Sequence, residues 1–421
     1  MNKTVHYNSI RDDRNLFYKF LFYLIWPFGA WIYSVLHAKE KSSYVIFFLF
    51  SILLCWHMAP VNMNTYYDDF LGILERFQQT NLTTSDFLLE VKRFITFSSD
   101  APKELYEHFL TWLIKLFTDN YHFFFLLASI PVALFQLRSL RLIASDDDFY
   151  SCFYGVVALM MMILPRDIIT VQNPRFTTGY WLFITCSLYF FSTSKKNIKY
   201  LMPLILLPAI HSAMWVALIM TALFLVLPVN KRVLEIMAII SIPFIFIDPN
   251  ISEYFDFNIL PENLVAWTRW YVSDESYSKF ILHEGRSGFW WVSATFTVGL
   301  KLVYVILALQ VILNKKKVEC NEESRFFYTF FLFSFFFINM IQFVPVLGQR
   351  YFYILQVFIF YEWYKTFHFS RKNPYLWLLF FYSWRMLQRY GYFLGGALSV
   401  NMPPDIFFTP LPYLIGKGFL W

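Results

Sequence analysis

The sequence predicts an all-α fold: a polytopic integral membrane protein with about 12 transmembrane segments (range 10-13), forming a single membrane domain over 1-421. Three observations lead there. The chain is 58% hydrophobic and only 15% charged, where soluble domains average roughly 45–50% apolar and about 25% charged. Apolar runs recur along it at lengths near the roughly 20 helical residues that cross a bilayer core. Every second loop between those runs is basic, the pattern of short cytoplasmic loops. A chain this poor in charge is not a soluble enzyme, a disordered protein or a nucleic-acid-binding domain, despite its net charge of +6.

Taken in order, the spans read as 19–37, 44–60, 121–138, 149–165, 177–193, 199–211, 213–229, 233–247, 289–313, 326–345, 350–368 and 374–394. The opening residues, MNKTVHYNSIRDDRNLF, do not read as a cleavable signal peptide. Lys39 and Lys41 follow the first span, Arg138 and Arg141 the third, and Lys195, Lys196 and Lys199 the fifth. Lys231 and Arg232 follow the seventh, Lys315, Lys316, Lys317 and Arg325 the ninth, and Arg371 and Lys372 the eleventh. These loops are assigned to the cytoplasm, which places both termini outside. Arg11, Arg14 and Lys19 beside the first span oppose that placement. The break at Trp26-Pro27-Phe28-Gly29 allows the first segment to be either one crossing or a re-entrant hairpin.

Segment 195–232 has cationic ends but too few apolar residues for two full crossings. Its polar break is His211-Ser212, so it reads as two short helices meeting at His211 near the outer surface. Irregular backbone at such depth lines a wet cavity or is buried in protein. Two external loops are long. In 61–120, Tyr67, Phe70, Leu71, Leu74 and Phe77 form one helical stripe, and Leu105, Phe109, Trp112 and Leu116 a second. Pro102, after Ser99 and Asp100, reads as a helix start. The other loop, 248–288, carries Trp267, Trp270, Tyr271 and Tyr277. Such amphipathic segments anchor at the membrane face or roof an outward cavity.

The four cysteines, Cys55, Cys152, Cys186 and Cys320, have no metal or redox spacing, so neither a disulfide nor a zinc site is expected. Phosphate-binding loops, dinucleotide glycines and zinc helices are missing as motifs. The acidic run Asp146-Asp147-Asp148 falls on the cytoplasmic side.

From residue 166 onward the outer side carries Arg166, Arg175, Arg269, Arg286, Arg350, Arg385 and Arg389, against Lys279 and Lys417 alone. Positive charge is disfavoured there. Arginine grips phosphate with a planar fork and stays charged at any relevant pH. The pattern points to an anionic, phosphate-bearing ligand in an outward cavity, while Arg269 and Arg286 also suit snorkelling to headgroups. Arg385 lies mid-span, where a charge belongs in the bundle interior. His211, at a helix break beside Ser212, is placed to exchange a proton near neutral pH. Asp68 and Asp69 open the first external helix and equally suit a solvated helix start. A lipid-carried diphosphate sugar outside a bacterial membrane fits such a site, with aromatics facing sugar and polyprenyl.

Several segments carry a resemblance: TYYDDFLGILERF, ELYEHFLTWLIKLFTDNYHFFF, VQNPRFTTGYWLF, AIHSAMW, GQRYFYILQVF and TPLPYLIG, in this order. Together, from about residue 44 to the end, the chain resembles the EpsG-like, Wzy-type bacterial polysaccharide polymerases. The resemblance implies a GT-C-like multispanning bundle in the bacterial inner membrane with its site facing the periplasm. It implies a glycosyltransferase that polymerises undecaprenyl-diphosphate-linked oligosaccharide units for O-antigen, capsule or exopolysaccharide. Arg175, His211 and Arg350 match positions that members typically share. In that reading His211 is the base and Arg175 and Arg350 hold the diphosphate. Arg166, Arg385, Arg389, Arg286, Asp68 and Asp69 are expected to line the substrate site. Where members carry an acid ahead of the external Tyr, this chain has Asn64. No metal and no cofactor are expected, because arginines take the metal's place. The implied partners are the bilayer, a chain-length regulator and a flippase, and no nucleic acid. Transfer to a different acceptor, as in an O-antigen ligase, and flipping of the lipid-linked sugar are the rival readings.

Overall fold

The computed structural model describes residues 9–37, 40–57, 59–60, 69–98, 100–144, 173–193, 197–228, 230–246, 290–315, 322–342, 344–367, 400–401 and 408–418. The described chain is all-helical apart from one two-residue antiparallel pair. That pair joins β1 (Ala59–Pro60) to β2 (Val400–Asn401) and ties the early part of the chain to the C-terminal region. The expected spans 149–165 and 374–394 and the loop 248–288 lie outside the described residues.

The first segment is two helices, α1 (Ser9–Ile25) and α2 (Pro27–Leu36). Trp26 between them has φ −149° and ψ 85°, and Pro27 starts the second helix. The two fold back on each other. Phe22 meets Tyr33 at 6.3 Å between ring centroids, and Lys19 Nζ lies 5.8 Å from the Tyr33 ring centre. A straight helix would separate Lys19 and Tyr33 by about 21 Å along its axis. Lys19, 4% exposed, pairs with Glu40 at 2.5 Å and donates to Ser42 and Ser43 at 2.8 and 2.7 Å. Gly29 makes the turn possible: a Cβ there would sit 2.1 Å from Cε3 of the Trp26 ring. Of the two readings left open for 19–37, the structure has the helical hairpin.

Next come α3 (Lys41–Trp56) and three short helices, α4 (Asp69–Gln79), α5 (Thr84–Ile95) and α6 (Tyr106–Lys115). In α4, Ile73, Leu74 and Phe77 are buried. On α6, Phe109 and Leu116 of the expected stripe are exposed, and the buried face is Glu107, Leu110, Thr111 and Ile114. That face packs a carboxylate inward because cations wait for it. The helix also begins at Tyr106 rather than around Pro102. Helix α5, which hydrophobic periodicity alone did not reveal, starts at a reciprocal cap between Thr83 and Asp86.

Helix α7 (His122–Ala144) packs between α3 and α8 (Pro174–Phe191). Ser139 and Thr185 link α7 to α8 at 2.9 Å, and Thr185 also donates to the Phe135 carbonyl. Segment 198–226 breaks at His211, as expected from its sequence. Short turns lead into α9 (Leu207–Ile210), His211 is extended, and α10 (Trp215–Val226) follows one more tight turn. The remaining elements are α11 (Lys231–Ile240), α12 (Trp290–Leu313), α13 (Glu322–Ile341), α14 (Pro345–Phe367) and α15 (Leu411–Gly418).

Much of the aromatic content packs between helices. Phe191 of α8 stacks on Phe330 of α13 with centroids 3.8 Å apart, and Phe224, Phe326 and Phe333 close around them. Phe358 of α14 meets Phe183, Phe327 and Phe330. Trp363 donates to Gln310 at 2.7 Å and joins α14 to α12. Flat rings offer large contact area between helices and gain a further ~0.5–1.5 kcal/mol per favourable pair.

The outward faces are apolar as well. Leu134, Leu225, Val226, Val233, Ile236, Ile240, Leu302 and Ile306 are all exposed. Among the described residues one helix, over His122–Ile143, is long and apolar enough by itself to cross a membrane.

Candidate functional site

The site is built where four chain segments meet: the approach to α6, the first turn of α8, the break at His211 and the first turns of α14. Asn173 caps α8, accepting from Phe176 N at 3.3 Å, and Pro174 follows it. This places Arg175 in the first turn. A cation is disfavoured at a helix N-terminus, and two carboxylates offset it. Arg175 Nη1 lies 3.1 Å from Glu104 Oε2 and 3.3 Å from Glu107 Oε2. Both glutamates are 7% exposed. Glu107 also takes a forked contact from Arg76 of α4, with Nε at 2.5 Å and Nη2 at 3.2 Å.

The other oxygen of Glu104 serves the break. Oε1 accepts from the Ser212 backbone N–H and from its hydroxyl, both at 3.0 Å. It lies 3.4 Å from His211 Nδ1. A helix start leaves unpaired N–H groups, and here Glu104 takes Ser212's while His211 Nδ1 takes Ala213's at 3.0 Å. The Leu105 N–H donates to the Ala209 carbonyl at 2.8 Å, so the approach to α6 is clamped to the turn before the break. Gly179 lets that break approach α8 closely: a Cβ there would be 2.9 Å from Met214 Cγ.

Arg350 closes the site from α14. Its Nη1 is 3.4 Å from His211 Nε2, and its guanidinium carbon lies 5.3 Å from the Phe176 ring centre. Phe176 also meets His211 edge-on at 5.5 Å. The next residue, Tyr351, donates to the Ala213 carbonyl at 2.7 Å and accepts from Ala217 N at 2.9 Å. Tyr106 accepts from Thr178 at 3.3 Å. Desolvation, only partly opposed by that bond, pushes its phenol well above the usual tyrosine range, so it stays neutral at working pH.

Arg175, His211 and Arg350, distant in sequence, thus share one cluster with Glu104 at its centre. Asp69 is the first residue of α4. Asp68, Arg166, Arg286, Arg385 and Arg389 lie outside the described residues. Sequence reasoning passed over Glu104 and Glu107. Their signal was there: two acids three residues apart beside an apolar stripe, in a chain with only 29 acidic residues. Among the described residues no group of His, Cys, Asp or Glu is arranged to hold a metal ion. The chain has no match among family models, curated proteins or solved structures.

Proposed function

We propose that the protein spans the bacterial inner membrane about 12 times and polymerises polyprenyl-diphosphate-linked oligosaccharide repeat units at the periplasmic face. The observation that carries this is the contact line from buried Glu104 and His211 to half-buried Arg350, which joins a proton acceptor to a permanent cation. The apolar outward faces of α7, α10, α11 and α12 support membrane embedding, since soluble monomers rarely expose such continuous apolar surface. In this reading Lys231 and Lys315, which gather on Glu235 at 3.9 and 2.5 Å, belong to the cytoplasmic end. The hairpin that brings Lys19 to Glu40 supports setting the N-terminal basic residues on that side too.

In this reading the acceptor sugar's hydroxyl attacks the anomeric carbon of the donor. The hydroxyl proton passes to His211 Nε2 as the new carbon–oxygen bond forms. The bond from the anomeric carbon to the diphosphate breaks, its electron pair leaves on the diphosphate, and Arg350 balances the charge that develops there. Arg175 is already engaged by two carboxylates. Its first part is to hold Glu104 and Glu107 in place, and the diphosphate falls chiefly to Arg350.

The test is purified protein in proteoliposomes with a defined lipid-diphosphate-linked repeat unit. A ladder of products by gel is expected, lost in His211→Ala and Arg350→Ala while both proteins remain folded. Transfer to a different acceptor without a ladder would make the protein a ligase. Unchanged ladders in both variants would overturn the assignment.

A further inference from the structure

We propose that Glu104 is a positioning residue that sets which nitrogen of His211 carries its proton, and so keeps Nε2 able to accept one. The proposal rests on the reading of His211 as the base. A neutral imidazole has one N–H and one lone pair. Three groups compete to decide which nitrogen has which. The Ala213 N–H, 3.0 Å from Nδ1, favours a lone pair on Nδ1 and hence the proton on Nε2. Glu104 Oε1, 3.4 Å from the same nitrogen, favours a proton there. Arg350 Nη1, 3.4 Å from Nε2, has only hydrogens to offer and favours a lone pair on Nε2. Two of the three influences, both charged, select the tautomer with the proton on Nδ1. Neither charge needs a hydrogen bond to the ring to act on it: at 3.4 Å a carboxylate beside Nδ1 and a guanidinium beside Nε2 bias it by Coulomb attraction, which burial strengthens.

The same carboxylate matters once the proton arrives. His211 sits between Arg350 and the Arg175 side of the cluster, with Phe176 on its flank. Taking up a proton there adds a positive charge among cations. Among the described residues Glu104 is the carboxylate within reach of the ring, and its position is fixed by Ser212 and Arg175. Glu107, further out, is engaged with Arg76 and Arg175. An anionic group that draws Arg350 away exposes the Nε2 lone pair without a change of tautomer. The resting contact between Arg350 and His211 is therefore a latch that the donor's own charge opens.

The experiment replaces Glu104 with Gln, which can still accept from Ser212 through its amide oxygen and keeps the side chain's size. Nitrogen-15 spectra of labelled histidine, with His211 identified by its loss in His211→Ala, report the tautomer without any turnover. Wild type is expected to carry the proton on Nδ1 and Glu104→Gln on Nε2, since the Ala213 N–H then prevails. In the polymerisation assay kcat is expected to fall roughly tenfold or more with KM little changed. The acid limb of the pH–rate profile is expected to move to lower pH, because the protonated ring has lost its counter-charge. Glu104→Asp, which keeps the charge, is expected to recover part of the rate. An unchanged tautomer in Glu104→Gln, or a wild type protonated on Nε2, overturns the proposal. A tautomer switch in a protein that makes no polymer sustains the positioning role and sinks the polymerase reading instead.

Discussion

Tyr351→Phe is the most direct probe of how the site is held together. The Tyr351 hydroxyl, fully buried, bridges the Ala213 carbonyl at 2.7 Å and the Ala217 N–H at 2.9 Å. The first belongs to the turn after His211 and the second to the opening of α10, where N–H groups have no partner within the helix. Removing the hydroxyl leaves a buried donor and a buried acceptor unpaired, each worth about 1–3 kcal/mol. Relaxation of the turn recovers some of this, so the net loss is about 2–4 kcal/mol. Hydrogen exchange of purified protein in detergent reads the effect locally. The Ala217 amide is expected to exchange at least about 30-fold faster, the equivalent of 2 kcal/mol, while amides in the middle of α7 keep their rates. Equal exchange at Ala217 in variant and wild type would refute the bridge. Equal acceleration everywhere would mean that the hydroxyl supports the whole fold rather than this turn.

Gly29→Ala places a methyl 2.1 Å from a Trp26 ring atom and is expected to destabilise the protein by about 1–3 kcal/mol. Adding Trp26→Ala to it should recover part of that loss, and strictly additive effects in the thermal-unfolding cycle would refute the packing. Single cysteines at Asn15 and Lys41 are expected to react with an impermeant thiol reagent from one membrane face, and one at Asp119 from the other. Labelling of Asn15 and Lys41 from opposite faces would rule out the hairpin. The bonds from Thr83 hold the Asp86 carboxyl below its usual value of 3.8. With a folded value below the unfolded one, the cap's contribution is complete above 3.8 and is lost as pH falls through the lower folded value. Amide protection across the first turn of α5 should fall over that acid range in wild type, and be low at every pH in Thr83→Ala.

How much of this was legible in the sequence depended on whether one segment sufficed to show it. The break at His211 was legible, because a lone polar pair in an apolar run too short for two crossings has few solutions. The hairpin was visible as an alternative in Trp26-Pro27-Phe28-Gly29, but deciding it needed the contact between Lys19 and Glu40. On α6 the period showed an apolar stripe but not what the opposite face does. Phe109 and Leu116 are exposed, and Glu107, Leu110, Thr111 and Ile114 are the buried side. Periodicity reports apolar residues, so it is silent where a helix turns carboxylates inward toward arginines. Thr83 and Asp86 formed a readable cap that was missed because α5 buries nothing. Arg175, His211 and Arg350, singled out by type and place, come together around Glu104. Glu104 was missed because a glutamate ahead of an external helix has an ordinary explanation until its partners are located.

The spread of the site along the chain has a consequence for how it is made. Glu104 is synthesised before Arg175, Arg175 before His211, and Arg350 well after all three. Chains emerge from the N-terminus and fold as they do so. The carboxylates therefore meet Arg175 first, and the Glu104–Ser212 bonds that seat the break follow. His211 then waits for α14 before Arg350 can cover it. A chain cut short between α10 and α14 would hold an assembled carboxylate–imidazole pair without Arg350 beside it. Completing the protein and completing its site are thus the same late event, and truncated products of interrupted synthesis hold only half of it.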